Sequence, residues 1–164
     1  MNENCIWQPK SIHGDEYYTL PHIADQIAKE IIEIPNLKVW CPFNDVESVW
    51  GGCLNKYGFD PICTDTDFFT TRMPEGTQAI VSNPPFSIKK EVLDHTRLLG
   101  VKFVYILPFT WLNDSIPMEY GHQIMLFRKR MHFDTPTGDL NKPRSNCFVL
   151  SNGLLKKDLT TIWE

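Results

Sequence analysis

The chain has 164 residues, 42% of them hydrophobic, with a net charge of −4 and a pI near 5.7, which suits one globular domain spanning 1–164. This acidic balance excludes a surface that is positive throughout, so any contact with nucleic acid has to come from a local basic patch. Five scattered cysteines, with no Cys-x-x-Cys pair, exclude a disulfide framework and a zinc site and favour a reducing compartment. Without a basic leader or an apolar run of ~20 residues, we expect a cytoplasmic protein with no membrane partner and no metal.

In chain order, the apolar pattern predicts alternating helices and strands. Isoleucines and alanines at three-and-four spacing follow Pro21 and predict a helix to about Glu33. The same pattern predicts further helices at about 44–57 and 87–99, and strands at 37–43, 59–64, 78–82, 101–107, 123–127 and 147–150. Residues 154–164 are expected to add a last strand or to pack on the sheet. This alternation is typical of an α/β fold.

Between two of these elements, Asn83-Pro84-Pro85-Phe86 ends an apolar strand abruptly, because neither proline can donate to a sheet. Asn83 offers a carbonyl acceptor and an amide donor, and Phe86 a flat apolar face. Together they suit a planar group that carries an exocyclic amine. The alternative is that the prolines merely end the strand and Asn83 caps the next segment.

Two carboxylates, Asp65 and Asp67, follow the strand predicted at 59–64. An acid at the end of the second strand of a nucleotide-binding sheet typically bonds a ribose hydroxyl. Either residue could serve, and the alternative is that both are ordinary turn residues.

Aromatic residues follow the strand predicted at 101–107. Phe109 and Trp111 lie in a predicted loop, where exposed aromatics indicate contact with a ligand. The alternative is a loop that folds back and buries both rings.

A basic cluster lies between the strands predicted at 123–127 and 147–150. Lys and Arg neutralise phosphates, so the cluster predicts a loop that contacts a nucleic-acid backbone, and the alternative is a solvated hairpin. Its members are Arg128, Lys129, Arg130, Lys142 and Arg144.

These features occur in an order that resembles the small phage-type DNA N6-adenine methyltransferase-like proteins, which are S-adenosylmethionine-dependent amino-methyltransferases. The resemblance spans about Asp15 to Ser151. It is carried by Asp15-Glu16-Tyr17-Tyr18-Thr19, Val39-Trp40-Cys41-Pro42-Phe43, Asp65 and Asp67 with Phe68-Phe69, Asn83-Pro84-Pro85-Phe86, and Ser145-Asn146-Cys147-Phe148. It implies a three-layer Rossmann-like methyltransferase fold, mostly parallel, with an antiparallel C-terminal strand.

The resemblance also implies roles for individual residues. Asn83 and the Pro84 carbonyl would hold the target amine while Phe86 stacks on the base, with Pro85 completing the catalytic motif. S-adenosylmethionine would be bound by Tyr18, Thr19, Cys41, Pro42, Phe43, Asp45, Glu47, Asp65 and Asp67. The acceptor, DNA first and RNA second, would be contacted by Phe109, Trp111, Arg128, Arg130, Lys142 and Arg144.

The turn after the first strand departs from this family. Cys41 stands where the family has an acid, and the turn 44–47 contains no glycine, so Asp45 or Glu47 would have to supply the carboxylate. Without a separate target-recognition domain, we expect high DNA sequence specificity only with a partner protein. A second hypothesis therefore stays open, in which the chain is a catalytically degenerate descendant of this family. It would bind nucleic acid or act in phage counter-defence, in the host cytoplasm. A third hypothesis that stays open is methylation of RNA or of a protein amide.

Overall fold

Seven strands form one mixed sheet in the computed structural model, which describes residues 18–43, 48–113, 116–134 and 146–162. Its strands are β2 (Lys38–Cys41), β3 (Asp60–Cys63), β4 (Ala79–Ser82), β5 (Lys102–Pro108), β6 (Gln123–Phe127), β8 (Cys147–Ser151) and β9 (Leu159–Ile162). A separate two-stranded sheet pairs β1 (Tyr18–Thr19) with β7 (Phe133–Asp134). The helices are α1 (Pro21–Glu30), α2 (Val49–Lys56) and α3 (Lys89–Leu99), and short 3-10 turns cover Phe86–Ile88, Phe109–Asn113 and Ile116–Glu119.

The strand order in the large sheet is β3-β2-β4-β5-β8-β6-β9. Every neighbouring pair is parallel except those of β8, which runs antiparallel to both β5 and β6. The predicted fold, a mostly parallel sheet with an antiparallel strand near the C-terminus, is therefore confirmed. One more strand, β9, follows that antiparallel strand and lies at the sheet edge beside β6.

Side chains of the central strands alternate between two apolar faces, as the period of two in a strand requires. Val39, Cys41 and Val81 pack on one face with the buried residues of α1 and α2. Trp40 and Ile80 pack on the other with the buried residues of α3. Burial on both faces explains why these strands are continuous apolar runs in the sequence.

Helix α1 begins and ends for identifiable reasons. Pro21 is its first residue, where a missing N–H costs nothing. The helix stops at Glu30, three residues before the predicted end, because Ile31 is extended and pairs with Leu155 in an isolated bridge. Leu155 precedes β9, so the bridge places the end of α1 at the edge of the sheet where the parallel strands begin (the amino edge). The start of α1 therefore lies at the edge where they end (the carboxyl edge). None of the helices in the described ranges is long and apolar enough to cross a bilayer.

A close approach of two backbones leaves no room for a side chain at Gly121. A Cβ at Gly121 would lie 2.6 Å from the carbonyl oxygen of Ser151 in β8, whereas a Cβ at Gly52 in α2 would meet nothing within 4 Å. We expect Gly121→Ala to lower the free energy of unfolding by roughly 1–3 kcal/mol through overpacking. The matched control Gly52→Ala should raise it by about 0.5–1 kcal/mol, because alanine favours a helix. Urea unfolding measures both, and an unchanged midpoint for Gly121→Ala would contradict this close approach.

Candidate active site

Strands β3, β2, β4 and β5 are parallel, so their carboxyl ends meet at one edge of the sheet. The strand order reverses at β2, because β3 lies on one side of it and β4 on the other. In open α/β sheets, ligands bind in the crevice outside the carboxyl ends of the strands at such a reversal. The residues that directly follow these four strands are therefore the candidate site.

Asn83-Pro84-Pro85-Phe86 directly follows β4 at this edge. Asn83 is half-buried and its Oδ1 atom is shielded from solvent, while Pro84 is buried. Pro85 is extended, with φ −54° and ψ 129°, and its carbonyl accepts a hydrogen bond from the Ile88 amide at 3.3 Å. The prolines thus end the strand, and the motif continues through a 3-10 turn into α3.

Lys89 holds this motif against the segment that follows β5. Its Nζ donates to the Phe86 carbonyl at 3.0 Å and lies 5.4 Å from the centre of the Trp111 ring. Lys89 is the first residue of α3, and its side chain is half-buried. The three-residue spacing from Phe86, which suits a local bond in a 3-10 turn, was the signal for this contact.

The two aromatics after β5 have different surroundings. Phe109 is 40% exposed and Trp111 only 7%. The expectation of an exposed ring is therefore wrong for Trp111, which packs in the core on the α3 face and lies under the Lys89 ammonium. Phe109 contacts Phe148 edge-on, with 6.3 Å between ring centres, and keeps an accessible face.

The two acids after β3, Asp65 and Asp67, also have different surroundings. Asp67 Oδ1 accepts a hydrogen bond from the Phe69 amide at 2.9 Å, and its carbonyl accepts one from the Thr71 amide at 2.8 Å. It is thus a turn residue, as the alternative interpretation held. Asp65 is exposed and forms an isolated bridge with Phe43, which directly follows Pro42 at the end of β2. Of the two, Asp65 is the better placed for a ligand at the edge.

Cys41 does not replace a carboxylate. Its side chain is fully buried and lies opposite Cys63 in the register of β2 and β3. The hydrogen bond with Cys63 and the burial both raise the pKa of the Cys41 thiol well above its usual range. The thiol therefore stays neutral and only the backbone of Cys41 can face a ligand, while Pro42 is buried as well.

The other predicted contacts lie farther along the same edge or outside the described residues. Tyr18 and Thr19 pair with β7, and the buried Thr19 Oγ1 has no hydrogen-bond partner among the described residues. Arg128 and Arg130 are exposed after β6. The predicted residues outside the described ranges are Asp15, Glu16, Tyr17, Asp45, Glu47, Lys142, Arg144 and Ser145. In the described ranges, no group of three or more His, Cys, Asp or Glu residues could hold a metal ion.

His95, which no sequence pattern singled out, supports the turn after β3 from α3. Its ring lies edge-on to Phe68 and Phe69, at 4.9 and 5.4 Å between ring centres. Burial lowers the pKa of His95 below its usual value near 6.5, and the Asp67 carboxylate partly opposes this shift.

An NMR titration of the histidine ring signals should place the pKa of His95 below 6.5 in the folded protein. Between pH 6.5 and that lower value the unfolded chain binds the proton more readily. The contribution of His95 to stability is therefore complete above pH about 6.5 and lost as the pH falls through this window. His95→Phe should remove this part of the pH dependence. A folded pKa at or above 6.5 would contradict the burial.

No family model matches the sequence, and no curated protein matches it either. Among solved structures, the chain is similar to the 23S rRNA methyltransferase ErmE, with 10% identity and a TM-score of 0.51, covering 91% of this chain and 72% of ErmE. A dimethyladenosine transferase from Plasmodium falciparum matches at 11% identity and a TM-score of 0.46 over 87% of this chain and 64% of its own. An rRNA methylase from Streptococcus thermophilus matches at 11% identity and a TM-score of 0.34, covering 84% of this chain and 98% of its own. Of these three, the likeness to ErmE is close enough to show a shared fold.

Proposed function

We propose that the protein is an S-adenosylmethionine-dependent methyltransferase that acts on an exocyclic amino nitrogen, with adenine N6 in a nucleic acid as the acceptor. The observation that carries the proposal is the position of Asn83-Pro84-Pro85-Phe86. It follows β4, next to the reversal of strand order, in a sheet that shares its fold with a 23S rRNA methyltransferase. The motif that suits an amine thus lies where such a sheet binds its ligands.

The residues of the motif act by positioning. Asn83 Oδ1 and the Pro84 carbonyl would accept hydrogen bonds from the two N–H groups of the amine, which turns the nitrogen lone pair away from them. Phe86 would stack on the base and fix its plane. Because Asn83 Oδ1 is shielded from solvent, its side chain or a neighbour has to move before the amine can reach it.

When bound, the cofactor would supply an electrophilic methyl group to the amine that Asn83 and the Pro84 carbonyl hold, with its lone pair turned toward that group. The amine then loses a proton to solvent, and the reaction needs no covalent nucleophile. An adenine within a duplex must first leave the stack, which costs a few kcal/mol. Phe109, with its accessible ring, is placed to offset part of that cost by stacking, and the buried Trp111 is not.

The described residues partly fit this cofactor. Asp65 presents a carboxylate that suits ribose hydroxyls, and Phe43 beside it offers a half-exposed ring for an adenine. Thr19 Oγ1 is able to bond to a ligand or to a residue outside the described part of the chain. The side chain of Cys41 contributes nothing, so the proposed cofactor site rests mainly on Asp65 and Phe43.

Two nucleic acids are candidate acceptors. The sequence resemblance favours DNA, whereas the shared fold with a protein named a 23S rRNA methyltransferase favours RNA. Transfer of a labelled methyl group to matched DNA and RNA substrates, with a glutamine-containing protein as the third acceptor, separates these cases.

Asn83→Ala should lower kcat/KM for methyl transfer by at least about a hundredfold, because the amine loses an acceptor that orients it. The affinity for S-adenosylmethionine, measured by calorimetry, should stay nearly unchanged. Asn55→Ala, at an exposed position in α2, is the matched control and should retain full activity. Equal activity of Asn83→Ala and the wild type would refute the assigned role.

Lys89 acts as a positioning residue. We expect Lys89→Met to lower kcat by roughly tenfold and to leave cofactor affinity unchanged, because Phe86 loses its carbonyl contact. Lys89→Arg should restore most of the rate, since it keeps a donor and the contact with Trp111. Lys90→Met is the control, because the Lys90 ammonium pairs with Asp94 on the solvent side. A change in KM for the acceptor alone would contradict the positioning role.

The glycine-free turn at 44–47 favours one competing function, a degenerate methyltransferase fold that binds a partner without catalysis. Calorimetry with S-adenosylmethionine and S-adenosylhomocysteine distinguishes the two. A Kd near micromolar, about −8 kcal/mol, supports the enzyme. Absence of heat together with an unchanged melting temperature supports the binding protein.

A further inference from the structure

A cavity opens between the start of α1 and the segment after β6, away from the catalytic motif. Its volume is about 660 Å³, within the range of small-ligand sites. Its lining residues are Leu20, His22, Ile23, Gln26, Phe127, Lys129, Arg130, Met131 and His132.

The charge of this cavity selects an anion. Lys129 and Arg130 are exposed cations, and the imidazoles of His22 and His132 lie among the lining groups. No carboxylate is among the described lining residues, and the first turn of α1, whose dipole adds positive potential, carries no acid. The cofactor proposed above carries a sulfonium and an ammonium against a single carboxylate, so its net positive charge does not suit this cavity.

The floor of the cavity is apolar and fixed. Ile23 and Met131 belong to the buried core between the sheet and α1, and Leu20 and Phe127 pack against that core. An inorganic anion would leave this floor uncovered, whereas an apolar peptide would bring no opposite charge to Lys129 and Arg130. A flat base joined to a phosphate satisfies both, with the base on the floor and the phosphate at Lys129 and Arg130.

The cavity lies at the same edge of the sheet as the catalytic motif. Three strand spacings separate β4 from β6, which is roughly 14 Å at about 4.8 Å each. Stacked nucleotides advance about 3.4 Å per phosphate, so this distance corresponds to a few nucleotides of one strand. Phe86 packs against the same core as Leu20 and Phe127, and the charge of Arg130 opposes the rise that burial causes in the pKa of Cys147 at the start of β8. One strand of nucleic acid can therefore span both places.

We propose that this cavity binds one nucleotide of the acceptor strand, a few positions from the target base, and so sets which adenine reaches Asn83. The phosphate bonds to Lys129 and Arg130, and the base lies on the apolar floor beside His22 and His132. This inference rests on the proposed function, because it takes the acceptor to be a nucleic acid.

Short single-stranded oligonucleotides, as RNA and as DNA, test the phosphate contacts by fluorescence anisotropy without cofactor. Lys129→Ala combined with Arg130→Ala should weaken binding by roughly tenfold or more, because charge-assisted hydrogen bonds are lost. The slope of log Kd against log salt should fall by about one for each lost phosphate contact. The control pair, Lys102→Ala with Lys157→Ala, removes the same charge from exposed lysines near the amino edge of the sheet and should leave the slope unchanged.

An abasic scan of the oligonucleotide tests the base contact. In the wild type, removing the base at one position should weaken binding, and the penalty should disappear in the double variant His22→Ala with His132→Ala. The imidazoles are the aromatic surfaces that these changes remove, while the phosphate contacts stay in place. Circular dichroism confirms that each variant is folded.

The outcomes separate this inference from the proposed function. If the wild type and the Lys129 and Arg130 variant have equal affinity and salt slope, the cavity is not a nucleotide site, even if the protein is an active methyltransferase. Three other results would also refute a nucleotide site in this cavity. The abasic penalty could persist in the histidine variant, the cavity variants could lose cofactor binding, or the wild type could fail to bind either oligonucleotide. Binding through the cavity without methyl transfer would support the nucleotide site and refute only the proposed reaction.

Discussion

The parallel pairing of β2 with β4, in which Val39 faces Ala79 and Trp40 faces Ile80, determines where the candidate active site of this protein lies. Because the two strands run the same way, Phe43 and Asn83 emerge at one edge although they are far apart in the chain. The reversal of strand order at β2 sends the following connections to opposite sides and leaves a crevice between them. The candidate residues therefore converge at this edge, where Phe43 also pairs with Asp65 in an isolated bridge.

Burial on both faces of the sheet confines polar groups to its edges. Strand interiors such as Val81 and Val104 supply only packing, so the groups able to bind a ligand are those beyond the last paired residue. One buried exception is bonded within the protein, because Thr96 of α3 and Tyr105 of β5 share a 2.7 Å hydrogen bond. A rigid apolar sheet with a polar edge suits a reaction in which the protein positions reactants and contributes no nucleophile.

Electrostatics distinguish the two places proposed for ligands. After β3 the described residues present the exposed Asp65 carboxylate, whereas the segment after β6 presents Lys129 and Arg130. This division agrees with a cationic cofactor at one end of the edge and a phosphate-bearing strand at the other. It also explains how a chain with a net charge of −4 could bind nucleic acid, since the cations are concentrated where the strand would pass.

The sequence alone determined the order of the elements and the motif after β4, because the two-residue period of strands, the helical period and the proline pair are local properties. It also placed Asp65 and Phe109 after predicted strands, the ends of which lie at the carboxyl edge of the sheet in the structure. Burial and partners were decided by tertiary structure: Trp111 is buried and Cys41 faces Cys63 because neighbouring strands and α3 cover them. The role of Lys89, the support from His95 and the cavity beside α1 likewise depend on contacts between distant segments, which no local pattern encodes.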